Sequence, residues 1–219
     1  MLFTAAEENY IKSIFHLQED GSLVSTNAVA ANLHTSAASV TDMLKKLKSK
    51  KLVSYEKYKG FKLNTEGKKT ALIIIRKHRL WESFLVNTLQ FGWDEVHEIA
   101  DQLEHIQSKK LVDKLDEFLG YPKFDPHGDP IPDSNGKMHE QIQTSLAELA
   151  IHESGEISAL GNPSSALLEL LQHKQIQIGT NLIVEKIFSF DQSMEIKMNN
   201  ELLFTISHEL AKNLFIKKR

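Results

Sequence analysis

Between Val24 and Leu63 the sequence changes its hydrophobic period twice, and few small folds accept that change. Val24-Ser25-Thr26 leads into a short helical segment, Asn27–Leu33, with Ala28, Val29 and Leu33 inward and Thr26 as its cap. His34-Thr35 makes a turn, and Ser36 caps a second helix, Ala37 to Lys48, whose Val40, Met43, Leu44 and Leu47 recur at helical spacing. Leu52–Leu63 then alternates around a Lys-Gly turn, as a β-hairpin does. Short helix, tight turn, helix and hairpin make a winged helix-turn-helix.

Position assigns roles within that outline. Ala37, Ala38 and Ser39 are small enough for the second helix to approach a groove wall, and Ser36, Ser39 and Thr41 carry hydroxyls that reach phosphates or base edges. Residues 45–69 hold ten Lys against Glu56 and Glu66, a local charge of +8 in a chain of net −3, which leaves −11 for the remainder. A Lys-rich block can be merely solvated. Here it falls on the end of the recognition helix (Lys45) and on the wing (Lys57, Lys59), where backbone phosphates lie in such complexes. The expected DNA-facing set is Ser36, Ala37, Ala38, Ser39, Thr41, Asp42, Lys45, Lys57 and Lys59.

Trp93–Ile106 carries different chemistry. At ~100° per residue, His97, Asp101, Glu104 and His105 fall within about 100° of one helical face, while Val96, Ile99, Ala100, Leu103 and Ile106 occupy another arc. Arg76–Leu85 repeats the theme with His78 and Glu82 at i, i+4. A solvated acidic face is the plain alternative for either stretch alone. Two separated His/carboxylate pairs favour a divalent metal site of one or two ions. The chain has no Cys, so nitrogen and oxygen must supply every ligand.

The rest of the chain frames these two stretches. Thr4-Ala5-Ala6-Glu7 reads as a capping box opening a helix from Ala5 to Glu19, which Asp20-Gly21 stops. A long helix runs from Thr65 through Leu89, with more apolar residues than one stripe needs, as packing against a partner subunit would require. A helical stretch over Ser108–Leu119 precedes Tyr121–Asp133, which holds four of the five Pro and reads as irregular structure. His127 and Asp129 could ligate there, but turn formation is the expected role. Beyond Ser145 come β-like runs at Thr180–Phe188, Ser193–Met198 and Glu201–Ser207, a short helix at Ala166–Gln172 and a helical close over His208–Leu214. That pattern suits a small β-barrel. The expected division is 1–70, 71–140 and 145–219. Met1–Glu8 lacks the basic start and apolar run of a signal peptide, and no apolar run nears the ~20 residues of a membrane span. A cytoplasmic chain without a membrane partner is expected.

Several segments together resemble the diphtheria-toxin-repressor family of metal-activated transcriptional regulators, including its manganese branch. They are Glu8-Asn9-Tyr10-Ile11, the Ser36–Met43 helix, Arg76-Lys77-His78-Arg79-Leu80 with Glu82, Glu104-His105, and Asp129-Pro130-Ile131-Pro132. The resemblance implies a mainly α protein with three parts: the winged helix-turn-helix, a helical metal-binding and dimerisation domain, and a C-terminal SH3-like β-barrel of the ferrous-transport-A type. It implies a homodimer that binds a double-stranded DNA operator and represses manganese or iron uptake genes. It assigns His78, Glu82 and His97 to an ancillary metal site, and Asp101, Glu104 and His105 to a primary site completed by Asn9. Ser36, Ala38 and Asp42 become major-groove positions.

Three positions depart from the family pattern. Asp101 stands where iron-responsive members have Cys and manganese members Glu, Asn9 stands in place of Met or Asp, and Lys12 replaces a second bridging acid. In the C-terminal module only Glu169 is placed to coordinate. The sulfur-free ligand set favours Mn²⁺, then Fe²⁺, with Zn²⁺ able to bind in vitro. A metal-dependent hydrolase with a two-ion site is the competing class, and the absence of a Gly-rich phosphate loop or nucleophile elbow speaks against it. A winged-helix regulator indifferent to metal is the third reading.

Overall fold

A computed structural model of the chain describes residues 2–18, 22–56, 59–138, 144–161, 164–199 and 202–218. Glu19, Asp20, Gly21 and Lys57 lie outside them. The chain divides into two compact units, neither continuous in sequence. The first comprises Met1–Trp81, Glu98–Tyr121 and Ile131–Met138, and the second Glu82–His97, Pro122–Pro130 and His139–Arg219.

In the first unit, α1 (Ala5–Leu17) starts from the expected capping box: Thr4 Oγ1 accepts from Glu7 N, and the Glu7 carboxylate accepts from Thr4 N. Its inner face buries Ile11 and Ile14 completely. Helix α2 (Thr26–Asn32) is capped by Ser25 rather than Thr26, because the Ser25 hydroxyl is the one that accepts from Ala28 N. His34 takes a left-handed φ of 49° in the turn, and Ser36 caps α3 (Ala37–Ser49) through Ser39 N. Val29, Val40 and Leu47 of these helices are fully buried.

Strands β1 (Val53–Glu56) and β2 (Gly60–Leu63) form the antiparallel wing. Val24 extends it by exchanging two backbone hydrogen bonds with Phe61. Gly60, at φ +131°, permits this approach, since a Cβ there would meet the Val24 carbonyl oxygen at 2.5 Å. Buried Phe61 and Leu63 join the winged-helix core.

The 23-residue helix α4 (Thr65–Asn87) and the shorter α5 (Val96–Leu103) cross the division between the units. Helix α6 (Lys109–Phe118) belongs to the first unit. There Arg76 of α4 holds Asp116 of α6 at 2.7 Å and the Pro132 carbonyl at 3.1 Å, so one buried guanidinium joins three segments. Helix α5 ends two residues before His105, so the expected helix over 94–106 is too long at both ends.

The second unit is built on a six-stranded antiparallel sheet: β3 (Thr144–Ser145), β4 (Ser154–Leu160), β5 (Asn181–Ile187), β6 (Met194–Met198), β7 (Leu202–Ile206) and β8 (Leu214–Lys218). The spatial order is β3-β8-β4-β5-β6-β7. Helices α7 (Ser165–His173) and α8 (His208–Lys212) complete it. The sequence reading omits β8 and carries the last helix through Leu214. In fact Lys212 ends α8, and Leu214 and Ile216 point into the sheet's core. This unit provides the expected SH3-like module.

Candidate metal centre and DNA-facing helix

Helix α5 and the turn after it bring acids and imidazoles toward α1. Glu104 is fully buried, and its Oε2 accepts from Lys12 Nζ at 2.8 Å and stands 2.7 Å from His78 Nδ1. Lys12 also donates to Asp101 Oδ1 at 2.6 Å, and His78 Nδ1 lies 3.3 Å from that same oxygen. Lys12 of α1 and His78 of α4 therefore share two carboxylates of the α5 region. Burial works to raise the Asp101 carboxyl, but the hydrogen bond from His78 and the charge of Lys12 outweigh it and hold the group well below the usual carboxylate range.

One atom of this cluster lacks a partner. Glu104 Oε1 is buried without a hydrogen bond among the described residues. Leaving a carboxylate oxygen unsatisfied in the interior costs on the order of 1–3 kcal/mol or more. The donor set, two hard carboxylates and an imidazole around an orphaned oxygen, fits a divalent cation.

Beside it, Glu8 of α1 forms a second buried node. Its Oε2 stands 2.6 Å from His105 Nδ1, and its Oε1 accepts from Lys77 Nζ at 3.2 Å and Gln107 Nε2 at 3.0 Å. An ionised carboxylate only accepts, so His105 Nδ1 carries the proton and Nε2 is the nitrogen able to ligate.

The second unit holds a separate group. One ligand atom from each of Glu82, Asp125 and His127 lies within 4.8 Å of the others, and all three residues are buried. His97 joins from the surface side, with Nδ1 3.2 Å from Glu82 Oε1. His127 Nε2 donates to the Trp93 carbonyl at 2.9 Å, which leaves Nδ1 facing Glu82 at 3.9 Å. A ligating His is commonly oriented in this way, by a hydrogen bond from its other nitrogen. The main chain is fixed as well: Leu160 N donates to His127 O, and a Cβ on Gly128 (φ +85°) would meet the Ser158 carbonyl at 2.2 Å. Asp125 also shapes the loop, since its Oδ1 accepts from His127 N and Asp129 N.

On α3, Ser36, Ala37, Ala38, Ser39, Thr41, Asp42 and Lys45 are all exposed, forming one continuous polar and small-residue face. Thr41 Oγ1 donates to the Ala37 carbonyl, and Lys45 pairs with Asp42 at 2.9 Å. Lys59, on the wing, is also exposed.

Two family models match this arrangement: an iron dependent repressor N-terminal DNA binding domain over residues 2–61, and an iron dependent repressor metal binding and dimerisation domain over residues 64–133. Together they cover more than half of the chain. The chain belongs to the iron-dependent (diphtheria toxin) repressor family. It is 31% identical over 125 residues to the iron-dependent repressor IdeR of Mycobacterium leprae (strain TN), covering 57% of this chain and 54% of that protein. The chain thus matches about half the length of that relative. It is 31% identical over 122 residues to the HTH-type transcriptional regulator MntR of Oceanobacillus iheyensis, covering 56% of this chain and 82% of that one. A solved structure described as a manganese-dependent transcriptional repressor complex with manganese superposes with a TM-score of 0.84 at 28% identity, covering 97% of this chain and 100% of the other.

Within this member of the family, the side chains make the following contacts. His78 reaches Asp101 and Glu104, and His97 meets Glu82. Asn9, expected to complete the primary site, is exposed, and its neighbour Glu8 is the α1 residue that meets His105. Lys12 takes the place beside Asp101 and Glu104. Glu169 is exposed on α7. Asp125 and Glu8 are absent from the expected ligand set, and His127 appears there only as a turn residue. A buried acid in a helix's first turn reads as dipole compensation, and a Pro/Gly/Asp-rich loop reads as turns.

Proposed function

We propose that this chain is a homodimeric, DNA-binding transcriptional repressor whose operator affinity is raised by a divalent cation, Mn²⁺ ahead of Fe²⁺. The observation that carries the reading is Glu104: fully buried, with one oxygen orphaned, among groups from three helices that the cation would tie together. A bound cation supplies compact positive charge to Asp101 and Glu104 in a setting of low dielectric. Nitrogen and oxygen donors suit Mn²⁺ and Fe²⁺, while Zn²⁺ binds such sites more tightly in vitro, so selection rests on geometry and supply. Glu82, Asp125, His127 and His97 are proposed as a second site, giving two ions per subunit.

The chain's own residues transmit the effect. Helix α1 packs on the winged-helix core through Ile11 and Ile14 and meets His105, in the turn that also carries Glu104, through Glu8. Whatever orders Asp101, Glu104 and His105 thereby restricts α1, and with it the pose of α3. A 100-fold gain in DNA affinity asks for about 2.7 kcal/mol of coupling, within the usual allosteric range. Ser36–Asp42 would face the major groove, and Lys45, Lys57 and Lys59 the phosphates. No helix among the described residues is long and apolar enough to cross a membrane. We propose no catalytic role, in keeping with the repressors it resembles.

The test is fluorescence anisotropy on DNA fragments flanking the gene, at fixed salt, in chelator and with Mn²⁺, anaerobic Fe²⁺ or Zn²⁺. Tightening by metal, abolished in Glu104→Ala, is expected. Equal affinity with and without metal would sink the reading.

A further inference from the structure

We propose that Lys12 is a built-in counter-cation: its ammonium holds the place of the divalent ion between α1 and α5, and so raises the metal concentration at which the repressor responds. The inference rests on the metal reading above and concerns a side chain that the family pattern does not supply. Lys12 Nζ contacts both carboxylates of the pocket, Asp101 at 2.6 Å and Glu104 at 2.8 Å, while His78 shares the same two oxygens.

Two consequences follow from the geometry. Without metal, Asp101 and Glu104 would repel each other, and Glu104, with no exposure, cannot turn to water for relief. Lys12 relieves both, so the metal-free protein keeps α1 tethered to α5 instead of opening at the pocket. With metal, the ammonium becomes a liability. Either it stays and repels a like charge, or it withdraws along its four-carbon stem and gives up two short ion pairs. Both routes oppose ion binding. Lys12 is partly exposed, which leaves withdrawal open to it. The same ammonium excludes a second cation from this pocket, so the pocket takes one ion where an acid at residue 12 would invite two.

A merely structural lysine and a counter-cation give opposite signs on removal. Loss of a structural lysine lowers stability and metal affinity together. Loss of a counter-cation lowers the stability of the metal-free protein while tightening metal binding. The experiment compares full-length wild type, Lys12→Met and Lys12→Arg by two readouts: the Tm of the chelated protein, and Mn²⁺ affinity by competition with a fluorescent chelator. Repeating the titration with His127→Ala removes the second unit's group from the count. Lys12→Met should lower the chelated Tm by roughly 6 °C or more and tighten Mn²⁺ binding about tenfold or more in the sites that survive His127→Ala. Lys12→Arg, which keeps the charge, should stay near wild type in both. Normal wild-type Mn²⁺ binding with unchanged or weakened affinity in Lys12→Met overturns the proposal alone. A wild-type protein that takes up no Mn²⁺ overturns the metal reading and this inference with it.

Discussion

Glu7 and Glu8 are consecutive residues of α1 that hold different elements of the first unit. Glu7 Oε1 stands 2.6 Å from Lys50 Nζ, at the C-terminal cap of α3, whereas Glu8 bonds His105 and Lys77. One peptide bond separates the anchor of the recognition helix from the anchor of the metal helices. Rotation of α1 must therefore be felt at both.

Glu8→Ala leaves the Lys77 ammonium buried without that carboxylate and removes the acceptor that orients His105. Breaking a buried pair in this way costs about 3–5 kcal/mol. Urea denaturation of the chelated protein should show that loss, and Glu8→Gln, which still accepts from Gln107 and His105, should show less. Equal stability of Glu8→Ala and wild type would contradict the arrangement.

Glu7 gives a pH signature. Burial works to raise its carboxyl, but the hydrogen bonds it accepts from Lys50 and Thr4 N lower it below the ordinary glutamate value. A depressed folded value means the stabilisation is fully present above the unfolded pKa of ~4.3 and is lost as pH falls through the folded one. Glu7→Gln should cost about 0.5–1 kcal/mol at pH 7. Its deficit should shrink as pH falls through the lowered folded value, where wild type becomes protonated as well. A deficit independent of pH would mean the charge on Glu7 contributes nothing.

Removing the imidazole at His127 should halve the ion count. Mn²⁺ bound per subunit, measured by equilibrium dialysis at saturation, should fall from two to one in His127→Ala, with the ion at Asp101 and Glu104 retained. A wild-type count of one would show that the Glu82–Asp125–His127 group is structural only.

The α3 face separates specificity from electrostatics. Ala38→Glu places a carboxylate against the groove and should abolish operator binding while leaving Mn²⁺ affinity unchanged. Lys45→Ala should weaken all DNA sequences alike and reduce the salt slope of binding by about one. A sequence-dependent loss in Lys45→Ala would instead assign that residue to base recognition.

Most elements were legible because local chemistry declares them. Thr4 and Glu7 announce α1, Ser36 announces α3, and the alternation of Val53–Leu63 announces the wing. The site was legible as residue types, less so as partners. His105 was placed by helical angle, yet α5 stops at Leu103 and a turn delivers the imidazole to Glu8. Side chains of opposite charge then chose one another across segments far apart in sequence: Lys12 lies 89 residues from Asp101, a pairing that periodicity cannot report. Asp125 shows a different limit. The turn reading was sound, since its carboxylate does organise the loop, but the same loop also aims His127 at Glu82.

Strand β8, overlooked in the sequence because Leu214-Phe215-Ile216 lacks alternation, pairs with both β3 and β4. Its hydrogen bonds reach back to β3, where Ser145 pairs with Phe215, and to β4, where Gly155 pairs with Lys218. During translation β5, β6 and β7 can pair as they emerge, but β4 keeps an open edge until Leu214–Lys218 has left the ribosome. The N-terminal winged helix, whose contacts are mostly local, is free of that delay. A nascent chain of this protein should thus pass through a stage in which its DNA-binding part is folded while its second unit still presents an unpaired strand.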